Sequence, residues 1–153
     1  MELLQGRKKI SAFTLTEVVT AIAIVGIVFG GIIAAHVQSA RRAEWSGYSM
    51  AAQALALQTL EQARSAKWDV QATPAVDEIT NLPTVTVATL DIPIASGQEV
   101  RATNFVNIST VMFSSNPPVA VHMVSVSTVW PFLKGDRTVL YTNTVANYIA
   151  PDR

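Results

Sequence analysis

Polar positions almost vanish between Phe13 and Ala35. Val18 to Ala35 is a run of 18 residues whose only polar side chain is Thr20, and counting back to Phe13 extends the apolar element to 23 residues. At about 1.5 Å of rise per residue, a helix of that length crosses a hydrocarbon core of about 30 Å. The pattern predicts a membrane span over about residues 15–36. From Ala40 to Lys67, "ARRAEWSGYSMAAQALALQTLEQARSAK" contains no proline and is rich in good helix formers, with Gly47 the one weak point. On a 3.6-residue wheel Trp45, Tyr48, Ala51, Ala52, Leu55, Ala56, Ala63 and Ala66 share one broad face, while Met50, Ala54 and Leu57 lie opposite. A helix apolar on two sides needs two partners, one from its own domain and one from elsewhere. Span and soluble half (about 37–67) join into a single predicted helix over 13–67, roughly 80 Å long at the standard rise.

The pattern changes after Trp68. Prolines 74, 83, 93, 117, 118 and 131 punctuate runs rich in Val, Thr and Ser, so 68–153 reads as a β-rich domain. Four strands are expected: "TVTVATL" (Thr84–Leu90), "FVNISTVMF" (Phe105–Phe113), "VAVHMVSVSTVW" (Val119–Trp130) and "RTVLYTNTVANY" (Arg137–Tyr148). Apolar parity shifts in the third run, between Met123 and Val124 and again by Val129, which implies a bulge there or burial on both faces. "PFLKGD", Pro131 to Asp136, reads as a hairpin loop with Gly135 supplying an unusual backbone angle. The expected fold class is α+β, a small antiparallel sheet laid on the outer half of a long N-terminal helix.

Charge adds an orientation. The chain of 153 residues is neutral as a whole, but Arg7, Lys8 and Lys9 against Glu2 make residues 1–12 net +2 and leave residues 13–153 at net −2. Cations before the span favour a cytoplasmic N-terminus with everything after His36 outside the membrane. Arg41 and Arg42 weaken that asymmetry and read as headgroup-level anchors. No general nucleic-acid-binding surface is indicated. With no cysteine, disulfides and thiolate metal sites are excluded and the domain holds together by packing alone. A cleaved secretory signal is the competing reading of the span, since "GGIIAAHVQSA" offers small residues, but an acid at the start of the apolar region is atypical of one.

That acid is Glu17, and its surroundings carry a resemblance. "RKKISAFTLTEVVTAIAIVG", Arg7 to Gly26, resembles the leader and N-terminal helix of type IV pilins and type II secretion pseudopilins: a small residue, Phe-Thr-Leu-x-Glu, then an apolar helix, here Ala12, Phe13, Thr14, Leu15, Thr16 and Glu17. "ALALQTLEQARSAKWD", Ala54 to Asp69, looks like the minor subunits of that family. The resemblance implies a pilin-like fold, a leader over 1–12, and cleavage between Ala12 and Phe13 by a prepilin peptidase that then methylates the Phe13 amine. It makes Thr14 and Leu15 recognition residues. The family's usual residue before the cut is glycine; Ala12 carries the next smallest side chain. Implied partners are homologous pilins or pseudopilins, the peptidase, and, indirectly, an assembly platform protein and a cytoplasmic ATPase. The implied location is the inner membrane, single-pass, and then the filament.

A carboxylate within a bilayer is costly, and such residues tend to be paired and functional. On the resemblance, Glu17 pairs with the Phe13 amine of a neighbouring subunit and acts as a register key, a wrong stagger leaving the charge unpaired. Other chemistry is thin. His36 and His122 sit on unrelated elements and make no metal site. No nucleophile elbow, phosphate loop or suggestive carboxylate pair is present, so neither enzyme activity nor a cofactor is expected. Gly26 and Gly30 have the spacing that lets helices approach closely, and "NIS" at Asn107 matches a glycosylation sequon. The expected function is a structural, minor pilin or pseudopilin subunit. The alternative is a membrane-tethered module whose β domain recognises DNA or a secreted substrate.

Overall fold

The computed structural model describes residues 13–92, 99–115 and 118–151. The leader, and with it Ala12, lies outside the described residues. One helix, α1 (Leu15–Ser65), is followed by β1 (Trp68–Asp69), β2 (Val76–Asp77), a 3-10 turn at Ile79–Asn81, β3 (Val85–Thr89), β4 (Arg101–Ser115), β5 (Pro118–Lys134) and β6 (Arg137–Ile149). β1 and β2 form a two-stranded antiparallel sheet; the other four pair as β3-β4-β5-β6, each antiparallel to its neighbour. The fold class is α+β, as the hydrophobic pattern predicts. The chain divides into two compact units, the first ending at Arg42 and the second beginning at Ala43.

In the first unit every described residue is exposed. Among the described residues α1 is the one helix long and apolar enough to cross a membrane.

The second unit is built by small side chains. Ala52, Ala56 and Ala63 are fully buried and Leu60 nearly so, at helical spacing along one stripe of α1. Alanine suits this stripe twice over, being the best helix former and thin enough for the backbone to approach a sheet closely. Two contiguous clusters result. Ala56, Leu60 and Ala63 pack with Trp68, Ile79, Val106, Val124 and Val126. Ala52 packs with Leu90, Ala102 and Trp130, which Tyr48, Phe132 and Tyr141 surround. Met50 and Leu57, on the far side of the wheel, stay exposed.

One strand expectation is corrected, and an alternative left open for another is decided. Pro131 to Lys134 are strand, and the turn shrinks to Gly135 and Asp136, with Gly135 at φ +65°. Proline is tolerated there because the residue pairs of β4 and β5 stop at Thr103–Val129, two short of Pro131, whose neighbour is Leu140 of β6. By strand alternation its missing N–H points to the side where pairing has ended. Of the two readings left open for the parity break in β5, burial on both faces holds, and the register shift lies in β4, between Met112 and Ser114. Val121 is 8% exposed on the face away from α1, while Val124, Val126 and Trp130 are buried on the other.

Candidate processing and assembly segment

Phe13 and Thr14 precede α1, and Thr14 starts it. The Thr14 Oγ1 accepts the Glu17 N–H (3.3 Å), and the Glu17 Oε2 accepts both the Thr14 N–H (3.0 Å) and the Thr14 hydroxyl (3.1 Å). Thr14 carbonyl accepts from Val18, the first bond of the helix (3.2 Å). This is a capping box, the Ser/Thr-x-x-Glu arrangement in which cap and third helical residue satisfy each other's backbone donors. A helix otherwise leaves its first four N–H groups without partners, and a carboxylate beside them also favours the positive end of the helix dipole. Both side-chain bonds fall on Oε2; Oε1 receives none among the described residues.

The next polar group is satisfied within the helix. Thr20 Oγ1 donates to the carbonyls of Thr16 (2.9 Å) and Glu17 (3.0 Å), so the one hydroxyl inside the 18-residue apolar run makes no demand on a surrounding lipid. Phe13 and Leu15 are 83% and 82% exposed. From Val18 to Val37 the valines and isoleucines point outward on every side, the signature of a helix buried in lipid or among other helices. Among the described residues, a Cβ added at Gly26, Gly30 or Gly31 would meet nothing within 4 Å.

Four of the five residues singled out from sequence therefore gather at one helix end, with Ala12 outside the described residues. Thr14 and Glu17 touch; Phe13 and Leu15 project outward. Reading Glu17 only as a charge awaiting a partner overlooked its part in the cap, although "TLTE" spelled the capping box.

Away from this segment, His122 is buried and engaged. Trp68 stacks on its ring at 4.0 Å between centroids, Nε2 donates to Asp77 Oδ2 at 3.0 Å, and Nδ1 lies 3.2 Å from Thr110 Oγ1. Its neighbours tie β2 to the sheet. Among the described residues no three His, Cys, Asp or Glu side chains cluster as metal ligands would. A shallow groove of about 270 Å³ runs beside α1, lined by Ala51, Ala54, Leu55, Gln58 and Thr89 to Asp91. It gathers no reactive constellation.

Residues 7–33 match the model of the prokaryotic N-terminal methylation motif. No curated protein and no solved structure matches the chain. The chain thus carries a prepilin-type leader motif, and its long N-terminal apolar helix fits a pilin. Such a leader implies processing by a prepilin peptidase and assembly with other pilins, and the apolar helix suggests a membrane anchor.

Proposed function

We propose that this chain is a structural, minor subunit of a type IV pilus or type II secretion pseudopilus, with no catalytic activity of its own. It is inserted in the inner membrane with its N-terminus cytoplasmic, cut between Ala12 and Phe13, methylated on Phe13, and drawn into a filament whose core is the Val18–Ala35 segment. The observation that carries this reading is the head of α1: the methylation motif sits where an outward-facing apolar helix begins with a carboxylate held in place by its own cap.

The cap sharpens the role of Glu17. Because the capping bonds use Oε2, the carboxylate is pre-positioned with Oε1 free to accept the Phe13 amine of a neighbour. In a water-poor filament core that attraction is strong, and a subunit at the wrong stagger forfeits it. The two roles are compatible, one oxygen for each.

The test is the intact mass of the protein from its native membranes. A mass corresponding to residues 13–153 plus one methyl group is expected. A mass retaining the leader, or one showing a cut after Ala35 or Ala40, overturns the assignment.

A further inference from the structure

Every residue from Leu133 to Leu140, the closing end of the β5–β6 hairpin, is exposed. Leu133 and Leu140 keep 65% and 68% of their surface in water. Because Pro131 pairs with Leu140 and Leu133 with Thr138, the two leucines are diagonal neighbours on one face of the hairpin. Lys134 and Arg137 sit directly opposite each other on the other face. Like charges so placed repel, and among the described residues neither forms an ion pair, although Asp136 stands in the turn between them. An anion bound from outside relieves that repulsion, and the leucines need an apolar neighbour. A surface of anionic lipid supplies both, phosphates for the cations and the boundary between headgroups and acyl chains for the leucines.

The hairpin also lies at the end of the second unit from which the chain leaves toward its apolar run. Trp45 and Tyr48, at the start of that unit, pack on Trp130, Phe132 and Tyr141 with ring centroids 5.4–6.1 Å apart. Further along, Ala56, Leu60 and Ala63 pack with Val124 and Val126. β5 therefore runs toward Ala43 as α1 runs away from it, and at about 3.3 Å per residue the strand carries Gly135 about 16 Å beyond Trp130. Ala43 follows Ala35, the last residue of the apolar run, by eight positions. Whatever the angle of that tether, the end of the unit from which it leaves is held close to lipid. Tethering makes even a weak contact there effective.

We propose that the β5–β6 hairpin docks on an anionic lipid surface, Leu133 and Leu140 entering the headgroup layer while Lys134 and Arg137 take the lipid phosphates. The proposal rests on the membrane anchor and not on processing at Phe13 or on filament assembly.

The chain has no cysteine, so Thr138→Cys carries a single fluorophore beside the leucines of the full chain, reconstituted into floated vesicles. Met112→Cys, exposed and paired with Ala120 near the other end of β5, is the comparison. The vesicles contain phosphatidylglycerol with phosphatidylcholine, or phosphatidylcholine alone, and a lipid bearing a nitroxide quencher on its headgroup. Quenching of the Thr138 probe and not of the Met112 probe is expected in the anionic vesicles. Lys134→Gln with Arg137→Gln should weaken docking about thirtyfold, and should not lower the melting temperature, since it removes a like-charge pair. Leu133→Ser with Leu140→Ser should also release the hairpin. Equal quenching of the two probes, quenching indifferent to either double substitution, or quenching as strong in phosphatidylcholine alone would each overturn the docking. Self-quenching between Thr138 probes would make a second copy the occupant and overturn it as well. A chain that does not float with the vesicles overturns the anchor, and the docking with it.

Discussion

Asn104 and Thr59 meet inside the second unit at 2.8 Å, the amide of the strand residue donating to the hydroxyl of the helix residue. Asn104 is 1% exposed, its Oδ1 accepts from Thr128, and Thr59 passes the chain on to the Leu55 carbonyl at 3.1 Å. A second link does the same nearer the start of this unit, where Asn143 accepts from the Trp130 indole (2.7 Å) and donates to Ser49 (3.1 Å to its hydroxyl). Apolar packing of a smooth alanine stripe is tolerant of sliding. Two directional links along the helix remove that freedom.

A fragment beginning at Arg41 should fold as a monomer with a cooperative melt, because both core clusters lie after Ala43. In it, Asn104→Ala should cost about 2–3 kcal/mol by leaving the buried Thr128 hydroxyl without its acceptor. Thr144→Ala, at the exposed Ser127–Thr144 hydroxyl pair, should stay within about 0.5 kcal/mol. Urea unfolding of the three proteins decides it; equal costs would deny the buried network its role.

Trp130 is fully buried among Trp45, Tyr48, Phe132 and Tyr141, with centroids 5.1–6.2 Å away. Trp130→Ala should lose about 3–5 kcal/mol, and Trp130→Phe, which keeps most of the ring but orphans Asn143 Oδ1, about 1–3 kcal/mol. Thermal melts followed by near-ultraviolet circular dichroism measure both, and an unchanged midpoint for Trp130→Ala would contradict the packing.

Burial, and after it the negative charge of Glu44, raise the Tyr48 phenol above its ordinary value of 10.0. An acid whose folded pKa is raised stays protonated in the fold while the unfolded chain already loses its proton. The unfolded state then binds fewer protons, so stability falls as pH rises past about 10 and is unaffected by this group below that. Tyr48→Phe should flatten part of that alkaline loss. The comparison is of denaturation midpoints at pH 8 and at pH 11, and identical slopes for the two proteins would exclude Tyr48 as a cause.

Glu17→Gln keeps an oxygen for the cap but removes the charge, whereas Glu17→Ala removes both. If the carboxylate pairs with a neighbour's amine, each should insert in membranes as the wild type does and each should enter filaments about tenfold less or worse. Membrane and sheared-filament fractions at matched expression give the ratio. Should Glu17→Gln assemble normally while Glu17→Ala does not, the cap is the function of this residue and the register role is wrong.

The sequence by itself determined the parts whose physics is local or one-dimensional. An 18-residue apolar run can only be a long buried or lipid-facing helix, alternating Val and Thr makes strands, and the motif around Ala12, Phe13 and Glu17 is a contiguous word. Even the capping box was legible, since its two members are three residues apart in "TLTE". Tertiary structure decided what depends on residues far apart in the chain. Asn104 and Asn143 look like ordinary polar strand positions until a helix from 45 and 94 residues earlier arrives opposite them. Pro131 reads as a strand breaker until the neighbouring strand is seen to stop short of it, and His122 reads as a lone histidine until Trp68 and Asp77 close over its ring. A polar side chain's partner, and a backbone group's need for one, are fixed by which elements become neighbours in space, and no local pattern along this chain encodes that.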